Sequence, residues 1–133
     1  MNMEDNIHND HHFILKERLR SFGNAFRGMG LLLKHEHNFR IHLFILAIII
    51  IAGALFRIEP GEWIAIALAS GLVLTAEGLN SAIEYLSDRV SPGIDEQIGK
   101  AKDTAAAGVL ISAIIAIITG AIIFLPHIIR LFS

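Results

Sequence analysis

The chain has 133 residues, of which 53% are hydrophobic and 18% are charged, and its formal net charge at pH 7 is −2. A soluble domain typically carries about 25% charged residues and about 45–50% apolar ones, so this composition excludes a small soluble enzyme and indicates a single domain in a membrane. The near-neutral charge argues against a nucleic-acid-binding protein, and the absence of Cys excludes a disulfide scaffold, a zinc finger and a thiol nucleophile.

The first 34 residues combine a polar segment with an amphipathic one. Residues 1–12 are polar and rich in His, and we expect them to form a flexible N-terminus. Within residues 13–34 apolar side chains recur near helical spacing with basic side chains between them, which predicts an amphipathic helix on the membrane surface. The apolar positions are Phe13, Ile14, Leu15, Leu19, Phe22, Phe26, Met29 and Leu33, and the basic ones are Lys16, Arg18, Arg20, Arg27 and Lys34. A helix packed on a soluble core is the alternative, which the spanning segments that follow disfavour.

Three long apolar segments come next, and we predict that each is a transmembrane helix. Residues 104–126 contain no Asp, Glu, Lys, Arg or His, and a run of that length exceeds the roughly 18 residues that mark a spanning helix. Pro60 and Pro92, each followed by Gly, break the chain after the first and the second segment. With the surface helix, the segments form one membrane domain over residues 13–133. The predicted spans are 36–57, 62–90 and 103–126.

The distribution of basic residues predicts the orientation of these spans. Nine of the eleven Lys and Arg residues lie in residues 1–40 and 89–102, and the other two lie on the opposite side of the predicted membrane. By the positive-inside rule, the N-terminal helix and residues 89–103 face the cytoplasm. We therefore expect a multi-pass membrane protein with a cytoplasmic N-terminus.

The second predicted span carries three acids on one helical face. At roughly 100° per residue, Glu84 lies about 20° from Glu77 around the helix axis, and Asp88 lies about 20° on its other side. Asn80 and Ser81 lie within about 60° of this stripe. Three acids on one face repel each other unless a cation or a proton holds them, so the pattern favours a bound divalent metal. A polar seam satisfied by helix contacts in an oligomer is the alternative.

Further charged residues are expected at the same membrane face. Glu36 precedes the first span, and Lys102 and Asp103 precede the third. Carboxylates together with Lys at a cytoplasmic interface favour Mg²⁺ and phosphate chemistry, although Lys102 by itself is also typical of a topology anchor. The chain has no Gly-rich Walker loop and no protein-kinase catalytic loop, so a nucleotide would be held by an unrelated arrangement.

The chain resembles the prokaryotic integral-membrane diacylglycerol kinases, a family that includes undecaprenol kinases. The resemblance rests on four short motifs and on their order and membrane position. The resemblance covers about residues 20–125. The motifs are Glu-His-Asn-Phe-Arg-Ile-His at 36–42, Glu-Gly-Leu-Asn-Ser-Ala-Ile-Glu at 77–84, Asp-Arg at 88–89 and Ala-Lys-Asp at 101–103. The family implies an all-α membrane protein in the bacterial inner (cytoplasmic) membrane. It also implies a homotrimer whose subunits each have a surface helix and three spans, with composite active sites at the subunit boundaries near the cytoplasmic face.

The resemblance implies a reaction and roles for individual residues as well. ATP with Mg²⁺ is implied as the phosphoryl donor, and a lipid alcohol in the membrane as the acceptor. Glu77 matches the catalytic base that takes the proton from the lipid hydroxyl, and Glu36 and Glu84 match the metal ligands. Residues 93–95 lie where the family contacts the nucleotide, but they differ from its usual residues. The candidates for binding Mg²⁺-ATP are Glu36, Asn80, Glu84, Asp88, Lys102 and Asp103.

Two acceptors fit the resemblance, namely diacylglycerol, which gives phosphatidic acid, and undecaprenol, which gives undecaprenyl phosphate. Residues 38–42 resemble the branch with undecaprenol kinases, whereas the diacylglycerol-specific proteobacterial branch usually has an acid at the position of His42. A small proton- or cation-coupled transporter with Glu77 as its carrier is an alternative function, and an assembly subunit without a catalytic role is another. The grouping of Glu77 with Glu84 and Asp88 in the cytoplasmic half of the span favours the kinase.

Overall fold

All regular secondary structure in the described part of the chain is helical. The computed structural model describes the backbone of residues 3–91, 93 and 95–132, and the side chains of this part from residue 17 onward. Its four helices are α1 (Met3–His35), α2 (His37–Phe56), α3 (Pro60–Val90) and α4 (Glu96–Arg130). The last three are long and apolar enough to cross a membrane, so the three predicted segments are confirmed as long apolar helices. The 31 residues of α3 measure roughly 46 Å, which exceeds the roughly 30 Å of a bilayer's hydrocarbon core, so the helix is long enough for its ends to reach the interface.

Helix α1 forms a compact unit of its own, separate from residues 36–133. It begins at Met3 and so includes residues 3–12, which we expected to be a flexible extension before a helix over 13–34. The first Gly is Gly23 and no Pro occurs in α1, so no strong helix breaker separates the polar segment from the amphipathic one. The side chains of residues 13–16 lie outside the described part. Among those described, Phe22 and Phe26 are exposed, and their insertion into a membrane surface stays a prediction.

The turn between α2 and α3 is built from backbone hydrogen bonds and a capping residue. Arg57 adopts a left-handed conformation (φ 54°, ψ 48°), and Ile58 N donates to the Gly53 carbonyl at 3.1 Å, which closes the end of α2. Glu59 N donates to Glu62 Oε2 at 2.8 Å across the first turn of α3. Helix α3 begins at Pro60 rather than at the predicted residue 62, because the fixed φ of Pro suits the first helical position.

Apolar packing joins the three spanning helices near this turn. Helix α3 packs mainly against α4 and more sparsely against α2. Ile58, Ile66 and Ile123 are buried together, and Trp63 packs against them. A Cβ added at Gly53 would lie 2.8 Å from Cη2 of Trp63 and 2.9 Å from Cδ1 of Ile58, so only glycine allows this close approach. The cluster therefore fixes one end of the bundle.

Helix α4 is longer than the predicted span at both ends. It begins at Glu96 rather than at residue 103, because Asp95 caps it by accepting from the backbone N of Gln97 at 2.8 Å and of Ile98 at 3.1 Å. It also continues through Pro126 to Arg130, although a Pro inside a helix removes one backbone hydrogen bond. Two residues of the loop before it, 92 and 94, lie outside the described part, including the predicted breaker Pro92.

Candidate active site

The second half of α3 buries polar side chains and exposes apolar ones. Leu79 and Leu86 are exposed on one face, while the opposite face is buried. The buried polar residues of this half are Glu77, Asn80, Ser81 and Ser87. A helix that turns its polar face inward and its apolar face outward has the arrangement expected in lipid, where ionisable residues face the bundle interior. The polar face therefore defines the candidate site.

Glu77 is the most deeply buried acid of this face, with 3% of its surface exposed. Its Oε1 lies 3.3 Å from Nε2 of His42 on α2. Glu84 lies two turns further along α3 on nearly the same side of the helix, and Glu36 contacts this end of α3 through Tyr85. The grouping of Glu77 with Glu84 was predicted from helical periodicity, whereas the contact with His42 was not.

Asn80 connects Glu84 to the buried interior of the site. Its Nδ2 donates to Glu84 Oε1 at 2.8 Å, one turn along α3. Its Oδ1 and the hydroxyl of Ser81 are buried and have no hydrogen-bond partner among the described residues. Buried polar atoms without partners are rare, because each costs the free energy of desolvation that a hydrogen bond would offset. An acceptor and a hydroxyl are thus free to bind a group from outside the chain.

A contact that sequence reasoning missed connects the start of α2 to the end of α3. Glu36 precedes α2 in an extended conformation, and the hydroxyl of Tyr85 donates to its Oε1. Tyr85 directly follows Glu84 in the sequence, and its phenolic hydroxyl next to the acid stripe was the signal that could have found it. The contact brings Glu36 to the site, as predicted from its position before the first span.

A cavity of about 440 Å³ lies at the connection between α3 and α4. Lys102 Nζ pairs with Asp88 Oδ1 at 2.9 Å on its wall. Asp103 is exposed and is not among the residues that line this cavity, so its predicted contact with a nucleotide beside Lys102 stays a prediction. The lining residues are Asp88, Ser91, Gly93, Asp95, Ile98, Gly99 and Lys102.

The acidic groups of this site suit a metal ion that arrives with a nucleotide. No group of three or more His, Cys, Asp or Glu side chains in the described residues is arranged to hold a metal alone. Mg²⁺ in proteins is usually held by one or two carboxylates together with waters and substrate phosphates. Glu84 accepts one hydrogen bond from Asn80 and Glu36 accepts one from Tyr85, and their role as metal ligands stays a prediction.

The sequence model described as prokaryotic diacylglycerol kinase matches residues 23–124. The chain belongs to this family. An undecaprenol kinase of Bacillus subtilis (strain 168) is 35% identical to this kinase over 117 residues, which are 88% of this chain and 95% of that protein. A diacylglycerol kinase of Synechocystis is 38% identical over 114 residues, 85% of this chain and 65% of that protein. A diacylglycerol kinase of Escherichia coli (strain K12) is 46% identical over 56 residues, 42% of this chain and 46% of that protein.

Membership in this family makes the chain a lipid kinase with three helices able to span a membrane. It confirms the resemblance that the four motifs indicated, and a kinase implies a nucleotide as phosphoryl donor. The transporter and assembly-subunit alternatives receive no support from these relatives, which are named as kinases.

Proposed function

We propose that this lipid kinase transfers the terminal phosphoryl group of Mg²⁺-ATP to the hydroxyl of a membrane lipid alcohol, with Glu77 as the base. The observation that carries the proposal is the burial of Glu77 on the inward face of α3, 3.3 Å from His42 and on the same side of the helix as Glu84. Phosphoryl transfer needs little beyond positioning, charge neutralisation and a group that accepts the proton of the acceptor hydroxyl.

Glu77 suits the role of base because of where it lies. An ionised carboxylate within a membrane span costs free energy, so such a residue usually has a functional role. The acceptor is itself a lipid, so its hydroxyl reaches the protein from the bilayer, at the level of a spanning helix. A base on α3 can therefore accept the proton of the hydroxyl while the lipid stays in the membrane.

Glu36 and Glu84 are the residues that would hold Mg²⁺. The ion supplies neutralisation of the phosphate charge when it is bound with ATP. Asn80 orients Glu84 through the hydrogen bond from its Nδ2, and its free Oδ1 is available to a water or hydroxyl of the bound substrates. Tyr85 holds Glu36 in the same way from the end of α3.

The cavity beside Lys102 is the proposed place for the nucleotide. Its volume of about 440 Å³ lies in the range of small-molecule sites, roughly 300–1,000 Å³. Asp88 holds Lys102 Nζ at 2.9 Å, so a cation is placed on the wall where phosphates would lie. The exposed Asp103 stays a proposed nucleotide contact outside this wall.

We place the kinase in the bacterial inner membrane, with the N-terminus and the site at the cytoplasmic face. The distribution of Lys and Arg supports this orientation, and a cytoplasmic site gives access to ATP. A homotrimer is proposed from the resemblance. Since Glu36, Glu77 and Glu84 each contact a residue of their own chain, each subunit would supply its own base and metal ligands, and a neighbour would complete the enclosure.

Undecaprenol is the proposed preferred acceptor, with diacylglycerol as the second candidate. The Bacillus subtilis undecaprenol kinase aligns over 95% of its length, whereas the Synechocystis diacylglycerol kinase aligns over 65%. His42 stands where the diacylglycerol-specific branch usually has an acid, which supports the same assignment.

The test is phosphoryl transfer from radiolabelled ATP in mixed micelles, with undecaprenol and diacylglycerol supplied separately. We expect a labelled lipid product that requires Mg²⁺, and a higher kcat/KM for undecaprenol. A higher kcat/KM for diacylglycerol would contradict the acceptor assignment alone. No labelled lipid with either acceptor, in protein shown to be folded, would contradict the proposed reaction.

A further inference from the structure

His42 is the partner of the proposed base. It lies in the second turn of α2, and 23% of its side chain is exposed, so it stands at the edge of the buried site. Its Nε2 is 3.3 Å from Oε1 of Glu77, whose side chain is 4% exposed. A carboxylate at this depth needs a hydrogen-bond donor, because an unpaired buried charge is strongly destabilising.

Three other donors of the site each have a different acceptor, and the buried hydroxyl of Ser81 has no partner among the described residues, Glu77 included. Asn80 Nδ2 donates to Glu84, and the Tyr85 hydroxyl donates to Glu36. Lys102 Nζ pairs with Asp88. Glu36 and Glu84 are acids, which accept hydrogen bonds when ionised and donate none. Among the described residues, His42 is thus the one side chain at pairing distance from Glu77.

We propose that His42 is a positioning residue, whose Nε2–H donates to Oε1 of Glu77 and turns the other carboxylate oxygen toward the lipid hydroxyl. This inference rests on the proposed role of Glu77 as base. In the transfer, the hydroxyl proton passes to Glu77 Oε2 while the lipid oxygen bonds to the γ-phosphorus of ATP. The bond from that phosphorus to the ADP oxygen breaks. His42 keeps its own proton throughout and does not touch the reacting atoms.

Two amide variants of His42 separate this role from mere packing. In H42Q the amide nitrogen reaches the place of the imidazole Nε2, whereas in H42N the shorter side chain carries the same group one methylene too far back. Misplacement of a reacting group by about 1 Å can cost on the order of 10²-fold in rate. We therefore expect kcat to fall on the order of 10²-fold in H42N and by less than about 10-fold in H42Q. The KM for Mg²⁺-ATP should be nearly unchanged in both.

A double-variant comparison shows whether the effect acts through Glu77. In the E77Q background, H42N should lower the residual turnover by less than about threefold, because no base is left to position. Thermal unfolding in detergent is measured for all variants to confirm that each is folded. Equal losses of kcat in H42Q and H42N, or a full loss from H42N in the E77Q background, would overturn the proposal.

Imidazole nitrogen NMR on the active wild-type protein provides a test that needs no folded His42 variant. Spectra of ¹⁵N-His-labelled protein should show His42 Nε2 protonated, and its shift should change in E77Q. An unprotonated Nε2 in the wild type would overturn the inference. Wild-type turnover in E77Q would instead contradict Glu77 as base, whereas an inactive E77Q with fully active H42N would contradict the inference alone.

Discussion

At the scale of single residues, the site is a set of acids that are each held by one donor. Glu77 faces His42, Glu84 accepts from Asn80, Glu36 accepts from Tyr85 and Asp88 pairs with Lys102. These one-to-one contacts fix the direction of each carboxylate, and they reduce the repulsion that three acids on one helical face would otherwise produce. The free Oδ1 of Asn80 and the free hydroxyl of Ser81 remain for the substrates.

Replacing Glu77 by Gln tests the base directly. The amide keeps the size of the side chain but cannot accept the proton, so we expect turnover to fall about 10²- to 10⁴-fold while ATP binding stays close to wild type. Phosphoryl transfer and equilibrium ATP binding are measured on the same preparation. Glu17→Gln, at an exposed position of α1, is the control and should leave turnover unchanged. Turnover of E77Q within about threefold of wild type would remove Glu77 from the mechanism.

Tyr85→Phe removes the hydroxyl that holds Glu36 and leaves the ring in place. If Glu36 binds Mg²⁺, losing a group that orients it should raise the Mg²⁺ concentration needed for half-maximal activity about 10-fold. Binding of Mg²⁺-ATP, followed by calorimetry without acceptor lipid, should weaken in parallel. An unchanged Mg²⁺ requirement in folded Y85F would show that the hydroxyl does not support the ligand.

At the scale of helices, α3 is divided between two kinds of packing. Its first half contributes Ile66 to the apolar cluster with Ile58 and Ile123, and its second half buries the polar face that contains Glu77. The apolar cluster is closed by side chains alone, whereas the polar half leaves Asn80 Oδ1 and the Ser81 hydroxyl without partners. The apolar packing and the proposed site therefore lie in different parts of the same helix.

The proposed Mg²⁺ ligands come from two different elements, Glu36 before α2 and Glu84 on α3. We expect Glu36→Gln and Glu84→Gln each to weaken Mg²⁺-ATP binding and turnover, since each removes an anionic oxygen from a hard cation. The double variant should lose less than the sum of the two effects in free energy, because both ligands serve one ion. A magnesium titration of all three variants decides this, and a wild-type Mg²⁺ requirement in both single variants would exclude the assignment.

Gly53→Ala tests the apolar end of the bundle. The new Cβ would lie 2.8 Å from Trp63 and 2.9 Å from Ile58, so the rings and methyl groups must shift, at a cost of about 1–3 kcal/mol in the free energy of unfolding. Gly61→Ala, in the first turn of α3 with no atom within 4 Å of the added Cβ, is the matched control and should be neutral or slightly stabilising. Unfolding in denaturant measures both, and an equal stability of the two variants would contradict this packing.

At the scale of the whole molecule, residues 36–133 expose most of their large apolar side chains. Leu55 is 78% exposed and Ile117 is 71% exposed, and five hydrophobic residues of the described part are buried. A soluble monomer rarely exposes so large an apolar surface to water. In a membrane, lipid and neighbouring subunits cover such a surface. This surface is consistent with a membrane protein whose copies associate.

Mixing inactive subunits tests how each site is divided among the copies of a homotrimer. Glu36 and Glu77 both contact residues of their own chain, and a trimer of differently tagged Glu36→Gln and Glu77→Gln subunits contains no chain with both acids intact. We expect these mixed trimers, isolated by sequential affinity steps, to stay as inactive as the separate variants. Trimers of wild-type and Glu77→Gln subunits serve as the positive control and should retain activity. Recovery in the mixed variants would show that the two acids serve one site from different chains.

The sequence by itself determined the helices and the order of charges along them. In lipid, a single uncharged run such as residues 104–126 forms a helix, because a helix makes all its backbone hydrogen bonds within the segment. Pro60 marks a helix boundary through its fixed φ. The angle between Glu77 and Glu84 also follows from the sequence, because the periodicity of one helix sets which residues share a face. The start of α4 was missed, although Asp95 is a common type of capping residue.

Contacts between helices were decided only by the tertiary structure. The pairs His42 with Glu77 and Tyr85 with Glu36 depend on the rotation and the axial position of α2 against α3. Periodicity within each helix says nothing about these two quantities, which follow from the packing of side chains such as Trp63 against Gly53. The acids of the site could thus be predicted from the sequence, but the donors that hold Glu36 and Glu77 could not, because each donor lies on a different element from its acid.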